Sequence, residues 1–172
     1  MKGKILFEEE QKFVGTWTWY LLWAITGFSV VPGLYILATM DKIETGLISI
    51  GIALVVMIGV LIFHAIMRLK VTIDTSAIYY QFPPFVRTER KLDKSDIQAI
   101  NVRKYQPIWE FGGHGYRFRI LSGRAMSVAG KDGLQLILSN GKRLLIGTQK
   151  PEELERTILQ LKENWSTAED NG

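Results

Sequence analysis

The chain lacks cysteine and has only two histidines, and these scarcities exclude several classes of protein. Without cysteine it cannot be a disulfide scaffold, a thiol enzyme, a cysteine-ligated zinc protein or an iron–sulfur protein. A metal site built from histidines is unfavoured as well, because such sites usually need two or three of them. We therefore expect no cofactor and no metal.

Charge is also scarce in one long stretch of the chain. Between residues 13 and 67 only Asp41, Lys42 and Glu44 are charged, although the 172 residues include 21 lysines and arginines and 17 aspartates and glutamates. Two such different compositions in one chain indicate two different solvents. The sequence therefore predicts a membrane-embedded segment joined to a water-exposed domain, and it excludes a simple soluble globule.

The uncharged stretch predicts a transmembrane helical hairpin, residues 13–67, with spans at about 16–40 and 45–67. An α-helix rises about 1.5 Å per residue and the hydrocarbon core is about 30 Å thick, so each span is long enough to cross. The link at residues 41–44 is short, which requires antiparallel helices. Pro32 lies deep inside the first span, where we expect a bend.

Small residues spaced four apart occur on both predicted spans, and such residues let helix backbones approach closely. They are Ser29 and Gly33 on the first span and Ser49 and Ala53 on the second. We predict that they pack against each other inside the hairpin. An interface between copies of a homo-oligomer is the alternative.

The distribution of lysine and arginine predicts that both termini are cytoplasmic, because basic residues near membrane spans concentrate on that side. Three lysines precede the first span, one lies in the link, and many basic residues follow the second span, beginning with Arg68 and Lys70. We expect a multi-pass protein of the bacterial inner membrane. Residues 1–12 then form a cytoplasmic N-terminal segment.

After Arg68 the sequence alternates between apolar and polar residues, which is typical of β-strands with one buried face. About seven strands are predicted, at residues 69–74, 78–82, 85–91, 97–104, 116–120, 134–139 and 142–147. Asn140-Gly141 between the last two favours a tight hairpin turn, because this pair tolerates positive φ values.

One amphipathic helix is predicted after the strands. Pro151 suits its first position, and acidic residues follow directly, near the positive end of the helix dipole. Leu154, Ile158, Leu161 and Trp165 recur at helical spacing and form an apolar stripe that must cover a sheet. The β domain is expected to span residues 68–165, and residues 166–172 are expected to be a disordered tail.

About seven antiparallel strands closed by one C-terminal helix are the element order of the pleckstrin-homology (PH) architecture. Three segments resemble bacterial PH-like domain proteins, which are membrane-anchored: residues 111–117 (FGGHGYR), 133–142 (GLQLILSNGK) and 146–154 (IGTQKPEEL). This resemblance implies a mainly-β PH-like domain behind the helical hairpin. The hairpin followed by such a domain is also similar to the photosystem I assembly protein family.

Basic residues dominate the predicted strands, with 15 lysines and arginines against six acidic residues between 68 and 150. Cations held near an anionic leaflet attract it by about 1 kcal/mol each, so they could orient the domain against lipid headgroups. A solvated basic face and an acidic protein partner are the alternatives. The candidate residues are Arg87, Arg90, Lys91, Lys94, Arg103, Lys104, Arg117 and Arg119.

Two aromatic residues, Trp109 and Phe111, complete the candidate binding set. On an exposed loop they would insert at a bilayer interface or anchor a partner, whereas burial beneath the loop explains them equally well. The phosphoinositide-binding members of the PH fold use basic residues in their first strand-to-strand loop. Residues 75–77 at that position include no basic residue, so the resemblance does not extend to inositol phosphate recognition.

The glycine cluster at residues 112–115 predicts a turn that enters a strand, because a phosphate-binding loop would be followed by a helix. His114 in this turn is an ordinary loop residue or a pH-sensitive group. His64 lies one helical turn from the end of the second span, where it reaches water, or it takes part in proton transfer.

The sequence favours a non-enzymatic binding or scaffold module that recognises a protein partner or anionic lipid headgroups. The alternative is a small transporter or channel subunit with a cytoplasmic gating domain, for which Pro32, Gly33 and His64 are the candidate residues. Catalysis is unfavoured, because Asp93, Asp96 and Glu110 show no spacing that pairs their carboxylates. Nucleic acid is not an expected partner, because positive-inside topology already explains the basic bias.

Overall fold

The computed structural model describes residues 3–15, 17–39, 43–120 and 122–170. Two compact units share the chain. The helical unit is Phe13–Met67, and the β unit combines Met1–Lys12 with Arg68–Gly172. The β unit is therefore discontinuous in sequence, with the helical hairpin inserted after its first strand.

The helical unit consists of α1 (Trp17–Thr39) and α2 (Ile43–Ile66). Both helices are apolar on all sides and long enough to cross a membrane, as the sequence predicted. α1 continues through Pro32 as a single helix. The predicted link begins at Asp41 and Lys42, which lie outside the described residues, and α2 already begins at Ile43.

The two helices approach each other most closely at a pair of glycines. A Cβ atom on Gly33 would lie 2.6 Å from Cγ1 of Ile50, and one on Gly46 would lie 2.5 Å from Cγ of Leu37. Gly33 is therefore a packing residue of the hairpin, as predicted. Its counterpart on α2 is the buried Gly46, whereas the predicted Ser49 and Ala53 are half-buried; the side chain of Ser29 is outside the described set.

The β unit contains two sheets, with nine strands in its described residues. The four-stranded sheet has the order β1-β2-β3-β4, and the five-stranded sheet has the order β5-β8-β9-β7-β6. The strands are β1 (Ile5–Lys12), β2 (Arg68–Asp74), β3 (Ala77–Phe82), β4 (Val86–Asp93), β5 (Ile97–Lys104), β6 (Gly115–Arg119), β7 (Gly123–Ser127), β8 (Asp132–Leu138) and β9 (Arg143–Thr148).

All seven predicted strands are present, but two further strands, β1 and β7, were not predicted. β1 was not predicted because its buried positions include the polar residues Glu9 and Gln11. Its sequence therefore does not alternate between apolar and polar residues. β7 has only five residues and pairs in parallel with β9, which corrects the expectation of purely antiparallel pairing.

β1 is the strand that connects the two sheets. It pairs with β2 from Ile5↔Asp74 to Lys12↔Arg68. Two of its inward side chains reach the end of β9: Gln11 Nε2 donates to Gly147 O at 2.8 Å, and the Glu9 carboxylate accepts from Thr148 Oγ1 at 2.6 Å and from the Gln149 N–H at 2.8 Å. These hydrogen bonds offset the burial of the Glu9 carboxylate and of the Gln11 amide nitrogen.

The turn between β8 and β9 is the predicted hairpin turn. The Gly141 N–H donates to Leu138 O at 2.8 Å, and the Leu138 N–H donates to Lys142 O at 2.9 Å. Gly141 has a φ of 75°, a left-handed conformation that glycine adopts without steric cost. Asn140 supports the turn by accepting the Lys142 N–H on its side-chain oxygen at 3.1 Å.

The C-terminal helix α4 (Pro151–Asp170) begins at the predicted proline. Leu154, Ile158 and Leu161 are buried against the sheets and Trp165 is half-buried, so the predicted apolar stripe is confirmed. The expectation of a disordered tail from residue 166 is wrong for 166–170, which continue the helix because no glycine or proline interrupts it; residues 171–172 lie outside the described residues.

Candidate functional site

A short helix that was not predicted, α3 (Pro107–Phe111), lies between β5 and β6. Pro107 suits its first position, and the Gly112 N–H closes its end by donating to Ile108 O at 2.8 Å. Glu110 accepts the Gln106 N–H at 2.8 Å, which satisfies a free donor at the helix start. The proline five residues before a glycine pair was the signal that could have predicted this helix.

Arg103, a predicted binding residue, holds α3 in place. Its guanidinium donates to both Glu110 oxygens, at 2.7 and 3.3 Å, and to Oε1 of Gln135 at 3.1 and 3.2 Å. The hydrogen bonds from Arg103 lower the pKa of the Glu110 carboxyl below its ordinary value. Arg103 and Glu110 thus satisfy each other's charge, and Arg103 has a structural role in this geometry.

The two predicted aromatic residues occupy opposite environments on α3. Phe111 is 3% exposed and packs with Tyr105, Ala125 and Leu145. Trp109 is 79% exposed, and its neighbour Ile108 is 72% exposed. Phe111 therefore anchors the helix in the core, while Trp109 and Ile108 present an apolar tip to the surroundings.

Strand β6 adds further exposed side chains beside this tip. β6 is an edge strand of the five-stranded sheet; Phe118 within it is 66% exposed, and Ile120 directly after it is 92% exposed. Arg117 and Arg119 point to the other face of the strand. Arg119 Nη1 donates to Trp109 O at 2.6 Å, which links β6 to α3. These exposed residues of α3, of the two faces of β6 and of the position directly after it are together called the α3–β6 surface: Ile108, Trp109, Arg117, Phe118, Arg119 and Ile120.

The remaining predicted cations lie elsewhere. Arg87, Arg90 and Lys91 are exposed on β4, which is an edge strand of the four-stranded sheet, and Lys91 pairs with Asp93 at 2.6 Å. Lys94 donates to Trp165 O at 2.6 Å, so it helps to attach α4. Lys104 is exposed at the end of β5. The ten predicted residues therefore do not form one continuous patch.

The glycine cluster forms the predicted turn into a strand. Gly112, Gly113 and Gly115 all have positive φ, and β6 begins at Gly115. His114 within the turn is half-buried, with Nδ1 3.3 Å from Oγ of Ser127, and burial lowers its pKa. Burial therefore favours the uncharged form of His114.

The other titratable candidates have local partners. His64 in α2 has Nδ1 3.1 Å from Val60 O, and its ring meets Phe13 and Phe63 edge-on at 6.2 and 5.8 Å. Asp96 accepts the Asp93 N–H at 3.0 Å at the turn between β4 and β5. Within the described ranges, no three histidine, aspartate or glutamate side chains come together as a metal-ligand set.

A scan of the sequence against protein-family models finds no matching family, and a search of curated proteins finds no match either. The description of the protein therefore rests on its own features. These are two helices long and apolar enough to span a membrane, and a mainly-β unit of two sheets with a C-terminal helix.

Proposed function

We propose that the protein is a membrane-anchored binding or scaffold module rather than an enzyme. In this proposal the hairpin spans the bacterial inner membrane, both termini are cytoplasmic, and a PH-like domain recognises a protein partner or anionic lipid headgroups. The strand-rich unit with its C-terminal helix supports the PH-like assignment, although nine strands and one parallel pair depart from the expected seven antiparallel strands.

The proposal rests on the α3–β6 surface. Ile108, Trp109, Phe118 and Ile120 are all more than 60% exposed, and exposed apolar groups beside cations are typical of sites that bind proteins or membranes. Among the described part of the β unit, the other exposed large apolar residues are Ile5 on β1, Leu159 on α4 and Phe85, whose ring stacks on Tyr116 of β6. The edge of β6 also offers backbone groups to a partner strand.

The topology follows from how the hairpin joins the β unit. β1 ends at Lys12 and β2 begins at Arg68, and these residues pair in one sheet. Both ends of a membrane-spanning hairpin must then leave the bilayer on the same side. The concentration of lysine and arginine outside the hairpin favours the cytoplasmic side.

Site-specific photo-crosslinking in native membranes tests the binding role. A photoreactive amino acid at position 109 or 118 of the full chain should capture a protein or a lipid, because these side chains are exposed. The same group at Leu159, which is 58% exposed on α4, is the matched control and should capture much less. Equal capture at all three positions, or none at any, would contradict the proposal.

The lack of cysteine makes the topology directly measurable. A single cysteine at Thr45, exposed at the start of α2, should react with a membrane-impermeant maleimide on intact spheroplasts. A single cysteine at Ser95, exposed between β4 and β5, should react only after lysis. The reverse pattern would place the β unit outside the cell and overturn the cytoplasmic assignment.

A further inference from the structure

An open groove with a volume of about 650 Å³ lies in the β unit between Tyr80 of the four-stranded sheet and residues at one end of the five-stranded sheet. Small-molecule sites in proteins typically measure about 300–1,000 Å³. We call the groove beside Tyr80 the rim groove. Its size is sufficient for a ligand with both a polar group and an apolar chain.

Aromatic rings near the groove join the two sheets. Phe85 stacks on Tyr116 with ring centroids 5.1 Å apart, and Phe82 stacks on Phe85 at 6.1 Å, so these rings join β3 and β6. Phe118 and Ile120 follow Tyr116 on the same face of β6 but remain largely exposed. Together with Leu138 and Leu144 they form an apolar wall.

Cations surround this wall. Arg124 lies opposite Phe118 on the paired strand β7, and Lys142 and Arg143 also line the groove. Arg90 pairs with Tyr80 from β4. Burial raises the pKa of the Tyr80 hydroxyl, and the charges of Arg90 and Arg124 oppose that rise, so both guanidinium groups lie near the phenol. None of the described residues that line the groove is a carboxylate.

We propose that the rim groove binds an anionic phospholipid, with its phosphate at Arg124 and an acyl chain along Phe118 and Ile120. Guanidinium groups recognise phosphate by charge-assisted hydrogen bonds, and the apolar wall gains free energy by burial against a chain. A free phosphate would leave this wall uncovered, and a zwitterionic lipid would place its own cationic group beside the arginines and the lysine, which would repel it. The inference rests on the proposed function and specifies its site and ligand.

Photoactivatable lipids in vesicles that contain the full-length protein test this inference. Phosphatidylglycerol with a diazirine on its acyl chain should label the segment from residue 116 to 124, and phosphatidylcholine with the same chain should label it about tenfold less. The hairpin is labelled by both lipids in every sample. It therefore serves as the internal reference for reconstitution.

Three variants locate the site. Arg124→Gln and Phe118→Ser should each reduce labelling of this segment by phosphatidylglycerol about tenfold, because one removes the phosphate contact and the other the apolar wall. Arg156→Gln removes an exposed arginine of α4 and should change labelling less than about twofold. All three side chains are exposed, and circular dichroism should show an unchanged fold.

Each contrary outcome has a distinct meaning. Equal labelling of the segment by the two lipids, or an equal loss in Arg156→Gln, would overturn the rim groove as an anionic lipid site. Labelling that maps to α3 instead would overturn the groove but leave the proposed binding function in place. If neither lipid labels the β unit while crosslinking at position 109 captures a protein, the groove is again overturned and the protein-binding function remains.

Discussion

Asp74 shows how a single side chain organises the start of the β unit. It is fully buried at the end of β2, and its carboxylate accepts the N–H groups of Gly3, Ser76 and Ala77 at 2.7–2.9 Å, together with the Ser76 hydroxyl. Burial by itself would raise the pKa of Asp74, but these hydrogen bonds outweigh it and lower the pKa. The turn that lacks basic residues is thus built around an acid.

Replacing Asp74 by alanine should destabilise the β unit by about 1–3 kcal/mol, because buried N–H donors lose their acceptor. The folded pKa is lowered, so the ionised carboxylate stabilises the fold above the unfolded pKa of about 3.9, and this contribution is lost as pH falls through the folded pKa. The full chain is unfolded in detergent at pH values from 7 to 3, and near-UV circular dichroism monitors the unfolding. These curves measure the cost of the substitution and the dependence of stability on pH.

The matched control for Asp74 is Glu155→Ala on the exposed face of α4, which should change stability by less than about 0.5 kcal/mol. If the Asp74→Ala variant loses as much stability on acidification as the natural protein does, protonation of Asp74 is not the cause of that loss.

Arg103 illustrates how a residue chosen for its charge becomes a structural residue. Its bonds to Glu110 and Gln135 connect β5, α3 and β8, although its side chain is still 31% exposed. Arg103→Ala should therefore loosen α3 at a cost of about 1 kcal/mol, since the pair is partly exposed to water. Hydrogen exchange of the Glu110 and Gly112 amides should accelerate about fivefold, whereas Lys104→Ala, at the exposed neighbouring position, should leave it unchanged.

If amide exchange accelerates in Arg103→Ala while crosslinking from position 118 is unchanged, Arg103 stabilises α3 but does not take part in binding. Unchanged exchange in this variant would contradict the role assigned to Arg103 here.

At the scale of elements, the hairpin depends on glycines that allow two helices to touch. Gly33 O lies 3.3 Å from where a Cβ of Gly46 would be, so neither position has room for a side chain without movement of Leu37 or Ile50. In lipid the association of helices relies on such close packing, because burial of apolar surface gives no advantage there. The spacing of small residues predicted this kind of contact and identified Gly33 on α1, but it missed Gly46 on α2.

Gly46→Val should destabilise the hairpin by about 1–3 kcal/mol, because the new methyl groups overlap Leu37. Gly51→Val on the same helix is the control, since a Cβ there meets nothing within 4 Å. Unfolding of the full chain in mixed micelles of increasing denaturing detergent, monitored by tryptophan fluorescence, compares the two. Equal effects at both positions would show that helix propensity, and not the contact, determines the cost.

At the scale of the whole molecule, the β unit is completed by the residues that precede the hairpin. Phe7 is 2% exposed, and Glu9 and Gln11 bind the end of β9, so β1 contributes to the hydrophobic core and links its own four-stranded sheet to the five-stranded sheet. Without β1, the apolar face of β2 would lose its neighbour and the strand would become an exposed edge. The domain is therefore not contained in residues 68–165 alone.

A chain of residues 68–172 should fail to fold cooperatively, whereas residues 1–12 joined to 68–172 by a short glycine-rich turn should fold, because Lys12 and Arg68 are paired neighbours. Urea denaturation measures the midpoint and the slope of unfolding. In the joined chain Phe7→Ala should cost about 3–5 kcal/mol. Ile5→Ala, at a side chain that is 50% exposed, should cost much less. Cooperative unfolding of 68–172 at the same midpoint would contradict the role of β1.

Local signals in the sequence were sufficient to predict several elements. Continuous apolar runs predicted α1 and α2, alternation predicted seven strands, Asn140-Gly141 predicted a turn, and the stripe from Leu154 predicted α4, because each signal depends only on neighbours in the chain. Features that depend on distant partners are visible only in the folded chain. Glu9 and Gln11 form a buried strand only because β9 supplies hydrogen bonds, Arg103 is structural only because Glu110 and Gln135 meet it, and the rim groove exists only because residues of both sheets come together.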